Sequence, residues 1–162
     1  AAFGVMVCDT GRGKVIPGLF GYPYLAFYSL NQADAEKLHK GIGYTAEIFF
    51  AAGAKRVFTG CYTMPTLTGK EDLKAFRRLP VKPWHFEVMA FHPLGTCRMG
   101  NDPRTSVVDL NLEAHDVKGL FIPDGSPFPT SLGVNPQLTI MSFAARAADY
   151  IATNIHRYEE GV

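Results

Sequence analysis

Two residues in the second half of the chain could share work on one oxygen atom. His92 carries an imidazole, whose ring nitrogen can take up a proton as a general base must. Asn135 carries an amide that can both donate and accept hydrogen bonds. Each has a plainer reading. His92 precedes Pro93 and could be a hydrogen-bonded structural residue. Asn135 precedes Pro136 and could be the N-cap of the last helix, with its oxygen already engaged. Asp124 follows the apolar run Leu120-Phe121-Ile122, with Pro123 between. This puts a carboxylate at a strand's C-terminal end, where α/β sheets collect ligands. The competing reading is an ordinary Asp-Gly turn. The start of the last helix adds unpaired N–H groups and a positive dipole end, an anion site in a mostly apolar setting. The other histidines, His39, His85, His115 and His156, read as structural or exposed. His39 and His156 fall in predicted helices without a carboxylate or cysteine at ligand spacing.

Several elements must position these groups. Residues 3–8, 14–16 and 25–30 read as three short strands with turns between them, a piece of antiparallel sheet. Asn31 is a plausible N-cap, with Asp34 in the first turn. Leu38, Ile42, Thr45, Phe49 and Ala52 then recur at helical spacing up to Gly53. Gly41 and Gly43 weaken that helix and predict close packing against another backbone. Residues 56–58 suggest a short strand. Residues 70–79 suggest a second helix, opened by a Thr68/Glu71 capping box and stopped by Pro80. Residues 84–91 read as a strand leading to His92, and 106–109 and 120–122 as short strands. The last helix should open at Asn135-Pro136 and run to about His156. Its first half is apolar nearly all round, which predicts burial.

The bulk properties narrow the function classes. The chain has 162 residues, 47% of them hydrophobic, enough for a real core. A net charge of +1 offers no electrostatic case for a nucleic-acid or anionic-membrane partner. The 140–151 run is interrupted by Arg146 and Asp149 and does not span a bilayer. Cys8, Cys61 and Cys97 are scattered and odd in number, against a disulfide scaffold or a structural metal site. No Gly-x-Gly-x-x-Gly occurs: Gly11-Arg12-Gly13 lacks the third glycine, and Gly41-Ile42-Gly43 lies inside a predicted helix. The chain opens Ala1-Ala2-Phe3 without an initiator Met, so a fragment of a longer protein is expected.

The separate signals gain weight in combination. His92-Pro-Leu-Gly-Thr-Cys-Arg-Met-Gly100 comes first. Gly119-Leu-Phe-Ile-Pro-Asp124-Gly-Ser126 follows, then Pro129-Thr-Ser-Leu-Gly-Val-Asn135-Pro-Gln-Leu-Thr139, then Ala144-Ala-Arg-Ala-Ala-Asp149. In order and spacing this resembles the C-terminal signature of the glucose–methanol–choline (GMC) oxidoreductases, over about residues 84–157. The wording around Asn135 is similar to a branch with long-chain alcohol oxidases, sugar-alcohol or gluconate dehydrogenases and cholesterol oxidases.

The resemblance implies an α/β or α+β portion of a two-domain flavoprotein that binds FAD and oxidises an alcohol by hydride transfer to the flavin. By it, His92 is the base that deprotonates the hydroxyl, and Asn135 hydrogen-bonds the same oxygen. Asp124, Gly125, Asn135, Pro136 and Thr139 fall where the family contacts FAD, and the helix start faces the anionic reduced flavin. Residues 1–91 correspond to the end of a substrate-binding domain and 92–162 to the C-terminal segment of the FAD-binding domain. The implied partners are a small alcohol, long-chain, sterol or sugar-type, and an upstream FAD-binding half that carries the glycine-rich loop. The fragment alone should be inactive. The alternative is a non-catalytic accessory or binding module, or one chain of a two-chain enzyme.

Overall fold

The computed structural model describes residues 1–19 and 21–159. The chain is a mixed α+β arrangement that divides into two compact units, Ala1–Met89 and Ala90–Val162.

The first unit is built around a long helix, α1 (Gln32–Ala51). Its start is as the sequence predicts: Asn31 Oδ1 accepts the Asp34 N–H at 2.8 Å. Its end is marked by Gly53, at φ +88° just beyond the Ala52 cap. Ahead of α1, β1 (Lys14–Pro17) and β2 (Tyr24–Phe27) pair antiparallel, Lys14 opposite Phe27 and Pro17 opposite Tyr24. The third expected strand, residues 3–8, is not one. Its alternate residues serve the helix instead: Phe3 stacks on Phe49 with ring centres 4.9 Å apart, and Val5 and Val7 pack on the core. Gly41 is where Val5 lands, for a Cβ there would lie 2.5 Å from Val5 Cγ1. Gly43 lies under the Arg77 side chain. These helix glycines therefore admit side chains, not another backbone.

A second helix, α2 (Lys70–Arg78), packs on α1. Phe76 is fully buried, and its carbonyl lies 2.8 Å from His39 Nε2, which fixes His39 as a structural residue. The expected Thr68/Glu71 box is displaced by one residue. Gly69 holds the cap position without a side-chain bond, and Asp72 accepts from the Thr68 N–H and hydroxyl at 2.7 and 2.6 Å. Those two donors hold the Asp72 carboxyl below its ordinary pKa. Two-residue strands β3 (Val57–Phe58) and β4 (Thr66–Leu67) form a second antiparallel pair. The expected strand over 84–91 is absent. Pro83–His85 form one 3-10 turn, and Phe86 makes a single bridge to Cys61. From Val88 to Phe91 the chain is exposed and unpaired, since no partner strand lies beside it among the described residues.

The second unit is mostly loop, closed by α3 (Gln137–Thr153) and a short α4 (His156–Glu159). The strands expected at 106–109 and 120–122 are reduced to isolated bridges, Met99 with Val108, Val108 with Ala114, and Glu113 with Phe121. Val108, Leu112 and Ala147 form the small core, with Met99, Ile122 and Phe143 against it. The expected burial of α3 does not hold in this chain. Ala147 is its one buried residue, and Leu138 and Met141 are 76% and 50% exposed. The core is too small to cover more than one side of so apolar a helix.

Candidate active site

Three separate stretches of the second unit meet at Gly125. A Cβ on that residue would lie 3.0 Å from Leu94 Cδ2, 3.2 Å from the Pro93 carbonyl oxygen and 3.3 Å from Ile140 Cδ1. Those atoms belong to the two residues after His92 and to the first turns of α3. The absence of a side chain is what lets the histidine loop, the Asp-Gly turn and the helix come together. Backbone bonds hold the first two in register: Cys97 N–H donates to Ser126 O at 3.0 Å, and Met99 N–H to Pro127 O at 2.8 Å. Phe128 then packs edge-on against Phe143 of α3, ring centres 5.0 Å apart.

His92 is exposed, and its imidazole makes no hydrogen bond among the described residues. Three of the other histidines are engaged. His39 meets the Phe76 carbonyl, His85 Nδ1 accepts the Lys82 N–H at 3.2 Å, and His115 Nε2 lies 2.9 Å from Ser106 Oγ and 3.2 Å from the Gly100 carbonyl. His92 thus keeps both ring nitrogens for a ligand. His156, on α4, is exposed and distant in sequence from the stretches that meet at Gly125.

Asn135 is also exposed and without a hydrogen bond among the described residues. It is not the helix cap. Pro136, in the right-handed helical region at φ −83° and ψ 0°, takes that position, and its carbonyl accepts the Ile140 N–H at 2.8 Å. Pro136 has no side-chain cap bond to offer, so among the described residues α3 opens without a side-chain N-cap. Pro136 is buried and Thr139 half-buried. Asp124 is exposed and closes a local turn, accepting from the Ser126 N–H at 2.7 Å and hydroxyl at 2.6 Å. Its carboxylate is therefore held in place and retains one oxygen outside the turn. His92 and Asn135 make no bond to each other; what the fold brings together is the segments that carry them.

Two shallow clefts lie elsewhere in this unit, of about 410 Å³ beside Asp109, Glu113 and His115, and about 250 Å³ beside Thr96, Arg98 and Arg104. Neither is lined by His92, Asp124 or Asn135, each of which is exposed. No group of three or more His, Cys, Asp or Glu that could hold a metal ion occurs among the described residues. No described helix is long and apolar enough to cross a membrane.

The sequence reading missed the turn at 109–113, where Leu112 is a buried non-glycine residue at φ +70°. Arg146 of α3 reaches this turn. Its only sequence signal was a lone arginine breaking an apolar helical run.

Comparison with known proteins gives these features a setting. The GMC oxidoreductase family model matches residues 21–144. The chain belongs to the GMC oxidoreductase family and corresponds to its C-terminal region. It is 32% identical over 155 residues to an uncharacterized GMC-type oxidoreductase of Mycobacterium tuberculosis, covering 96% of this chain and 24% of that protein. It is 34% identical over 125 residues to a long-chain-alcohol oxidase of Arabidopsis thaliana, covering 72% of this chain and 17% of that one. Over 62 residues it is 48% identical to 2-methyl-1,2-propanediol dehydrogenase of Mycolicibacterium austroafricanum, 38% of this chain and 11% of that one. The chain thus spans about a quarter or less of the length of these relatives.

Proposed function

We propose that this chain is the catalytic C-terminal part of an FAD-dependent enzyme that oxidises an alcohol CH–OH group. On this reading residues 1–91 end a substrate-binding domain, 92–162 complete an FAD-binding domain, and an upstream half of the same protein carries the glycine-rich nucleotide loop. The observation that carries it is the meeting at Gly125 of the stretches bearing His92, Asp124 and Asn135, with the side chains of His92 and Asn135 making no hydrogen bond among the described residues. Relatives named as alcohol oxidases and a diol dehydrogenase support the same chemistry.

The residues at the helix start fit a flavin. A helix start without a side-chain N-cap among the described residues and its positive dipole end favour the negative charge of a reduced ring, and exposed Leu138 and Met141 offer apolar surface on the same helix. When bound, FAD supplies the hydride acceptor. This chain's residues do the remaining work. His92 takes the hydroxyl proton of the alcohol, which raises electron density on the oxygen and eases departure of hydride from carbon. Asn135 donates its amide N–H to the same oxygen as negative charge grows there. Asp124, Gly125, Pro136 and Thr139 shape the cofactor side of the site.

Anaerobic mixing of the complete flavoprotein with long-chain, sterol and sugar-type alcohols tests this. Loss of the oxidised flavin absorbance with one class is the expected result, and it names the substrate class. A flavin reduced by dithionite but by none of the alcohols would overturn the reading.

A further inference from the structure

We infer that Arg146 is a positioning residue for the site, acting through the turn at residues 109–113; the inference rests on the function proposed above. Arg146 extends from the middle of α3. One guanidinium nitrogen donates to the Leu110 carbonyl at 2.6 Å and the other to Asn111 Oδ1 at 3.2 Å. A planar fork suits two acceptors on adjacent residues, and lysine cannot reproduce it. The turn it grips is held by several bonds to Asp109. Asp109 Oδ1 accepts the Asn111 and Glu113 N–H groups at 2.7 and 3.0 Å, and the Leu112 N–H donates to Asp109 O at 3.1 Å. Leu112 sits inside this frame at φ +70°, 1% exposed. A leucine in the left-handed region is strained and persists only where its surroundings impose that conformation.

The turn is linked to each stretch that forms the site. Leu112 O accepts the Ile122 N–H at 2.9 Å, two residues before Asp124. Val108, just ahead of the turn, bridges Met99 of the loop that follows His92. Leu112 and Val108 share their core with Ala147, beside Arg146 on α3, and with Ile122 and Met99. Arg146 closes the circuit by tying α3 to the same turn. Ile140 beside Gly125 and Phe143 against Phe128 hold the first turns of α3 at the site, and the clasp fixes the same helix from its middle. Arg146 touches none of the predicted site residues, so its effect on the reaction is one of geometry.

The test uses the complete flavoprotein and anaerobic flavin reduction by its alcohol, well below the unfolding midpoint. Arg146→Met, which keeps the stem and removes the fork, is expected to lower the limiting reduction rate about tenfold, the scale of a sub-ångström misplacement. Bound flavin and the dissociation constant for the alcohol should hardly change, and Arg146→Lys should recover only part of the rate. Asn111→Ala, which deletes one acceptor and leaves the arginine, should lower the rate less but in the same direction; it keeps the question answerable if Arg146→Met does not fold. A limiting rate equal to wild type in both Arg146→Met and Asn111→Ala, with only a lower unfolding midpoint, would overturn the inference and make the clasp purely structural. His92→Ala in the same series separates the two claims. A slow His92 variant beside fast clasp variants rejects the positioning role alone, whereas an unaffected His92 variant rejects the underlying function.

Discussion

Replacing Asn135 by alanine removes one side-chain amide from the start of α3, and the structure distinguishes its two possible duties. A side chain that caps a helix contributes about 1 kcal/mol. Here the cap position belongs to Pro136 and Asn135 makes no such bond. An exposed residue with nothing to lose should change stability by less than about 0.5 kcal/mol, so the unfolding midpoint should stay within about 2 °C. The rate should behave differently. Loss of one preorganised donor to a developing oxyanion costs about 3–4 kcal/mol, or roughly 10²–10³ in rate. Asn135→Asp should keep the fold and the flavin but be slower still. It removes the same donor and adds a charge that, about 4 Å from an alkoxide at an effective dielectric constant near 20, repels it by about 4 kcal/mol. Asn135→His should retain more activity than either, because an imidazole N–H can still donate. The assay is stopped-flow flavin reduction beside a thermal scan of each variant in the complete flavoprotein. An Asn135→Ala protein that melts several degrees lower yet reduces its flavin at the wild-type rate would refute this reasoning and return Asn135 to a purely structural role.

Gly125→Ala should place a methyl group against Leu94, Ile140 and the Pro93 carbonyl; the two side chains can yield, but the carbonyl lies one peptide from His92. A loss of about 1 kcal/mol in stability and several-fold in flavin reduction is expected, and a variant with unchanged kinetics would show that the three stretches tolerate separation. Asp34 is fully buried beneath α1's first turn and accepts from Thr10 N–H, Gly11 N–H and Lys37 Nζ at 2.7, 2.9 and 2.9 Å. Burial pushes its pKa up, but these donors outweigh it and bring the carboxyl down to about 2 from 3.8. Its stabilising contribution is therefore complete above about pH 4 and fades as the pH falls toward 2. Asp34→Asn should cost about 1.5–3 kcal/mol at pH 7, and the difference from wild type should shrink between pH 4 and pH 2; a pH-independent difference would contradict the assignment. The chain of 162 residues by itself should bind hydrophobic dyes and self-associate through exposed α3 side chains such as Leu138 and Met141, and a monodisperse, dye-silent profile would count against this.

What the sequence reveals here follows the range of the forces involved. Asn31, Asp34 and Gly53 frame α1 through bonds spanning three or four residues, and such local signals are visible in the sequence itself. Residues 3–8 and 84–91 have strand-like composition, but pairing needs a distant partner that composition cannot supply. Phe3 and Val5 found a helix to pack on, whereas residues 88–91 found no cover. The motif residues His92, Asp124 and Asn135 were legible by type and order. The convergence of the stretches that carry them depends on a residue without a side chain at position 125, beside residues 93, 94 and 140, which no local pattern encodes. The helix start shifted because Pro136 itself adopts helical dihedrals, leaving Asn135 outside. The Arg146 clasp was invisible for a similar reason, since its acceptors lie 35 and 36 residues earlier.

The central claim is that His92 removes the alcohol proton during flavin reduction. Its most direct test is the limiting rate of anaerobic flavin reduction by a saturating alcohol, measured by stopped flow for wild type and His92→Ala in the complete flavoprotein. The expected result is a fall of roughly 10²–10⁴ with the flavin still bound. Flavin reduction at the wild-type rate in His92→Ala would contradict the account.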